Sequence, residues 1–282
     1  MPKSRILNFE FRISNCKWIL PIVIFTVLLT LFSIRYPLQA QSPSPTSALQ
    51  KAQDDYKFQL SKYSDLHDRY LTTRSNFLQF KTATAKNDAY LKTKDYLIQV
   101  DNIYISYLYL ASENANAIDF DKAKRPKDKI IALLKNQTDF IKQNQQNISS
   151  ATDLQGLVDN ASQLKSEIST SLTPQMNFIF ASMNVAESTA MYQDFINISS
   201  LLDQQVTNSQ KSSILVNWSS EIADIKQKTG DIESTAQARL DSQNGNDFNQ
   251  GYLSQTSNLI DQVGTQLARA KILFNEAVRL FF

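Results

Sequence analysis

Residues 49–80 read LQKAQDDYKFQLSKYSDLHDRYLTTRSNFLQF, and their spacing decides the fold class. Leu49, Tyr56, Tyr63, Tyr70 and Phe77 recur every seven residues, with Ala52, Leu60, Leu66 and Phe80 at intermediate positions. Side chains spaced this way line one stripe of an α-helix, whereas a half-buried strand would alternate at every second residue.

The same period continues downstream. A second helix is expected over about 87–118 and a third over about 126–147. Leu154, Leu157, Ala161, Leu164 and Ile168 mark a helix within 153–172. Thr173-Pro174 then reads as an N-cap followed by proline in the first turn, opening a helix to about Val206. Leu215 to Ala236 and Thr256 to Phe281 carry the last two stripes. The links are short: Asp119 to Arg125 ahead of Pro126, and Asn244-Gly245-Asn246-Asp247 with turn and cap chemistry. Long helices on short links lie antiparallel. The predicted fold is therefore all-α, an elongated antiparallel up-down bundle of coiled-coil-like helices over 47–282, with a possible sub-boundary near 148–152.

Composition agrees. Five glycines and seven prolines in 282 residues are too few for an all-β fold with its frequent turns, or for a glycine-built phosphate turn. Within the body, residues 96–111 (YLIQVDNIYISYLYLA) are apolar almost all round. Such a helix is normally enclosed by others. An exposed partner face, or a segment that enters membrane, is the alternative.

Upstream of the bundle, residues 18–34 (WILPIVIFTVLLTLFSI) carry no charge and are bracketed by Lys17 and Arg35. Seventeen helical residues span about 25 Å, the short end of a bilayer crossing. Trp18 at the interface and Ile24, Phe25, Leu28, Leu29 and Phe32 within the run are the expected anchor residues. Residues 1–17 form a short basic tail, and residues 1–40 sum to +4 while the rest sums to −2. Positive charge before the span places the N-terminus in the cytoplasm and the body outside it. A signal anchor would be retained as a single-pass cell-membrane protein, whereas cleavage after Ala40 would release a secreted body. Residues 35–46 contain Pro37, Pro43 and Pro45 among Ser, Thr and Gln, and read as an extended spacer.

Candidate chemistry is sparse. One cysteine and one histidine leave no zinc or disulfide framework. His67 has Tyr63, Ser64, Tyr70 and Leu71 at helical neighbour positions, so it reads as an exposed structural residue. Met176, Met183 and Met191 share one helix at spacings too long to bind a common ion, which points to core filling. Residues 241–252 fail the calcium-loop pattern, with Asn246 and Tyr252 where glycine and glutamate are required. No G-x-S-x-G, P-loop or H-E-x-x-H occurs. No catalytic residue, metal or cofactor is expected, and the near-neutral body gives nucleic acid no basic face.

Lys122, Lys124, Arg125, Lys127 and Lys129 crowd one helix connection, either as a solvated loop or as a possible interaction surface. The function expected from these features is a non-enzymatic, membrane-anchored extracytoplasmic scaffold or protein-interaction module of the cell envelope. Its partners would be the membrane, through the N-terminal helix, and a protein. A ligand-binding, sensor-like helical domain, or a membrane-active protein using residues 96–111, is the alternative.

Overall fold

The computed structural model describes residues 47–208, 216–243 and 248–281. The membrane segment 18–34 with Trp18, Ile24, Phe25, Leu28, Leu29 and Phe32, the tail 1–17, the spacer 35–46 and the turn 244–247 lie outside the described residues. The fold is all-helical, 91% helix, with no strand among the described residues. The described residues form seven α-helices: α1 Ala48–Phe80, α2 Ala83–Ala117, α3 Lys127–Ser150, α4 Leu154–Glu167, α5 Thr173–Asn208, α6 Val216–Asp241 and α7 Gln250–Phe281. A π turn, Ile168–Leu172, joins α4 to α5 without a break, so the described residues form six helical rods.

Side-chain oxygens start several of these helices by accepting otherwise unpaired backbone N–H groups. Ser47 Oγ accepts from Gln50 N at 3.1 Å, Thr82 Oγ1 from Ala85 N at 3.1 Å, and Asp153 Oδ1 from Gly156 N at 2.8 Å. Between α1 and α2 only Lys81 and Thr82 remain. Lys81 adopts φ 49°, and its N–H bonds to the Phe77 carbonyl, which closes α1 and reverses the chain. The helix-end signal is chemically unusual, since the left-handed conformation favours glycine or asparagine.

Cross-helix contacts give the pairing directions. From α1 to α2, Tyr56 meets Tyr107, Gln59 meets Gln99 and Tyr63 meets Tyr96, so the two run in opposite senses. The α2–α3 pair is similarly reversed, with Asp101 on Asn144 and the Tyr90 hydroxyl on the Ala151 carbonyl. In the C-terminal half, Ser188 and Thr189 of α5 reach Glu233 of α6, and Tyr192 reaches the Lys226 carbonyl. The Trp218 indole of α6 donates to the Leu273 carbonyl of α7 at 2.7 Å. Phe195, Trp218, Ile222, Ile225, Ala270 and Ala277 form the core of this half.

The helix containing 96–111 is central. Leu108 is 1% exposed, and Leu97, Ile103, Tyr107, Leu110 and Ala111 are buried; only Tyr109 in this run is exposed. Its neighbours include α1 through Tyr56, α3 through Asn144, α4 through Leu157 and α5 through Phe180. No helix among the described residues is long and apolar enough to cross a membrane.

Thr173 does not begin a separate helix. Its φ of −62° and ψ of −49° are helical, and its N–H reaches back five residues to the Ile168 carbonyl. The widened turn absorbs Pro174, which lacks an N–H and would crowd the carbonyl four residues earlier in a regular α-helix. The cap signal is thus overridden, and one rod runs from Leu154 to Asn208, about 80 Å at 1.5 Å per residue.

Candidate functional site

The connection from α2 to α3 is a tied turn rather than a loose loop. Phe120 and Ala123 are buried. The Asp119 carboxylate accepts from Lys122 N at 3.0 Å, while Arg125 N donates to the Phe120 carbonyl at 2.9 Å. Lys124 takes φ 54° at the bend.

These ties direct most of the basic cluster onto the protein itself. Lys122 pairs with Asp194 of α5. Arg125 Nη1 lies 2.6 Å from Asp241 at the end of α6. Lys127 Nζ reaches the Asn116 carbonyl at 3.4 Å, and Lys129 sits over the Phe178 ring at 5.3 Å. Lys124 is exposed and, alone of the five, makes no such contact among the described residues. The cluster therefore pins the α2–α3 connection onto α5 and α6.

Asp194, the partner of Lys122, lies on the outer face of α5 between Met191 and Ile198. Met191 and Ile198 are each 45% exposed, and Leu201 is 64% exposed. Their spacing of seven and three residues places them on one stripe of the helix. Met191 thus departs from the core-filling expectation that Met176 and Met183, each 1% exposed, fulfil. The difference is positional: Met176 and Met183 lie where α5 packs against other helices, while Met191 points away from them.

On the opposite side of α5, facing α6, is a cleft of ≈ 420 Å³ lined by Thr189, Tyr192, Gln193, Gln227, Glu233 and Gln237 among others. Glu233 is 3% exposed and accepts from the Ser188 hydroxyl and from Thr189 Oγ1 at 2.7 Å. Burial pushes its carboxyl above the usual range, against the two hydroxyl donors and the positive charge of Arg125, which act in the opposite direction. Tyr192 crosses the cleft floor close to Gly230, where an added Cβ would lie 2.8 Å from the hydroxyl. The arrangement offers hydroxyl and amide groups around a buried acid. It supplies no imidazole or thiol.

His67 occupies a different place from its exposed expectation. Its ring is half-buried among Tyr63, Tyr70 and Tyr96, with Tyr63 and Tyr70 on its own helix and Tyr96 across on α2. The tyrosines at every seventh position turn inward and carry the histidine between them. Phenols away from solvent elsewhere stay neutral: desolvation lifts Tyr56 and Tyr104 to about 12, and burial raises Tyr107 well above its ordinary value. No group of three or more His, Cys, Asp or Glu side chains among the described residues is arranged to hold a metal ion.

The sequence reading found the basic cluster but not its partners, because Asp194 and Asp241 are 72 and 116 residues from Lys122 and Arg125. It also missed Glu233, whose donors are about 45 residues away and follow no motif. No protein-family model, curated protein or solved structure matches this chain.

Proposed function

We propose that this chain is a non-enzymatic, membrane-anchored helical scaffold or protein-interaction module of the cell envelope. In this reading residues 18–34 hold it in the membrane and residues 35–46 set the body away from the lipid. The body is an elongated, antiparallel up-down bundle outside the cytoplasm. The observation that carries the proposal is the rod from Leu154 to Asn208, which packs against α2 and α3 at its start and against α6 and α7 further on. A rod shared by both helix groups makes the body stiff, which suits holding a protein partner at a fixed distance from the membrane. The exposed stripe of Met191, Ile198 and Leu201 supplies apolar contact area, since such patches commonly mark protein contacts.

The test is affinity capture from solubilised native membranes, comparing the parent with a variant carrying Ile198→Glu and Leu201→Glu. The proposal expects defined proteins with the parent, lost with the variant, while the chain stays in the membrane fraction. Equal recovery of partners would remove the stripe from the account; absence of any protein from the parent would contradict the scaffold.

A ligand-binding, sensor-like reading is favoured by one feature, the polar cleft around Glu233. Its test is small-molecule analysis of the purified chain, with a bound compound displaced by Gln237→Leu. The enclosure of residues 96–111 inside the bundle speaks against a membrane-active role for that segment.

A further inference from the structure

Asp101 interrupts the apolar run of α2 at a position with no access to solvent, 0% exposed. Its partner is Asn144 of α3, itself 3% exposed, whose Nδ2 lies 3.0 Å from each carboxylate oxygen. The other end of that amide, Oδ1, is buried and has no hydrogen-bond partner. No Lys, Arg or His nitrogen among the described residues lies within 4.0 Å of Asp101.

The surroundings are neutral on every packed side. On α2 itself the facing ionisable group is Tyr104, held as a phenol. From α1 comes Tyr56, also a phenol, against Tyr107. α3 presents the amides of Asn144 and of Gln145, the latter donating to Asn102 at 2.7 Å. α4 meets α2 through Leu157 beside Leu97, and α5 through Phe180 beside Tyr107.

A buried carboxylate without a cation is costly, and a buried amide oxygen without a donor is costly too. One proton answers both. A neutral carboxyl accepts from Asn144 Nδ2 through one oxygen and, after a small rotation of the amide, donates from the other to Asn144 Oδ1. We propose that Asp101 and Asn144 form a proton-operated clasp between α2 and α3, closed as a reciprocal acid–amide pair when Asp101 is protonated and loosened when it ionises. The clasp is independent of any partner and concerns the centre of the bundle.

Burial raises Asp101 from 3.8 to about 7, and the Asn144 hydrogen bond opposes this only in part. Because the folded chain holds the proton more tightly than the unfolded chain, the contribution to stability is full below about 4. It is lost as pH rises through about 7.

The test is urea denaturation of the full chain at pH 4.5, 6 and 8, followed by circular dichroism, for the parent and Asp101→Asn. The substituted amide can close the same pair at every pH. The two should unfold at similar urea concentrations at pH 4.5. At pH 8 the parent should fall behind, its folding equilibrium constant reduced relative to the variant on the order of a hundredfold or more. Parallel pH profiles would overturn the clasp. Should Asp101→Asn not fold, carbon-13 carboxyl resonances of the parent decide instead: a midpoint near 7 for Asp101 supports the proposal, and one near 4 overturns it.

Discussion

Leu108 and Thr189 show how much depends on single side chains. Leu108 has only 1% of its surface exposed and follows Tyr107, which meets Tyr56 of α1 and Phe180 of α5. Replacing it with Ala removes buried methyl groups and leaves a cavity, at a cost of about 2–5 kcal/mol read as a lower urea midpoint. A midpoint shifted by less than about 0.5 kcal/mol, the behaviour of surface positions, would show that the run 96–111 is not core. Thr189 donates to the buried Glu233 carboxylate. Thr189→Val keeps the shape and removes the donor, so destabilisation of about 1–3 kcal/mol is expected. The cost should be larger at pH 8 than at pH 5, because only the ionised acid needs the donor fully. Equal loss at both values would mean that Glu233 does not change its protonation state between them.

The helices themselves carry two adjustable points. Lys81 holds φ 49° to close α1, a conformation that costs an L-residue with a Cβ about 1–2 kcal/mol. Lys81→Gly relieves this at some expense in unfolded-state entropy, so a net gain of roughly 0.5–1 kcal/mol should appear in thermal or urea unfolding. Gly264 is exposed within α7, and a Cβ there meets nothing within 4 Å. Gly264→Ala should stabilise by about 0.5–1 kcal/mol, measured the same way.

Element by element, the sequence was legible where the signal is local. The seven-residue spacing of tyrosines in α1 and the mixed apolar surface of 96–111 both report helix, and the latter reports its own burial. The turn at Lys81 was not legible, since neither glycine, proline nor asparagine marks it. Thr173-Pro174 misled for the opposite reason: a correct local cap signal was outweighed by the longer-range bond to Ile168 and by packing on both sides of the π turn. The polar partners of Arg125, Lys122 and Glu233 depend on tertiary proximity alone. The Asn144 partner of Asp101 belongs with them, 43 residues away and marked by no motif.

At the scale of the whole body, the chain from Leu154 to Asn208 is a single rod shared by both helix groups. A broken helix at Thr173-Pro174 would fold back on itself and leave a body able to hinge, poorly suited to hold a partner at fixed reach. Spin labels on cysteines introduced at Ser162 and Asn197, both exposed, measure this directly once Cys16 is replaced by Ser. At 1.5 Å per residue an unbroken rod places the two backbone positions about 50 Å apart. A narrow distance distribution near that value by pulsed electron paramagnetic resonance is the predicted result; a distribution centred at about 20–30 Å would contradict it.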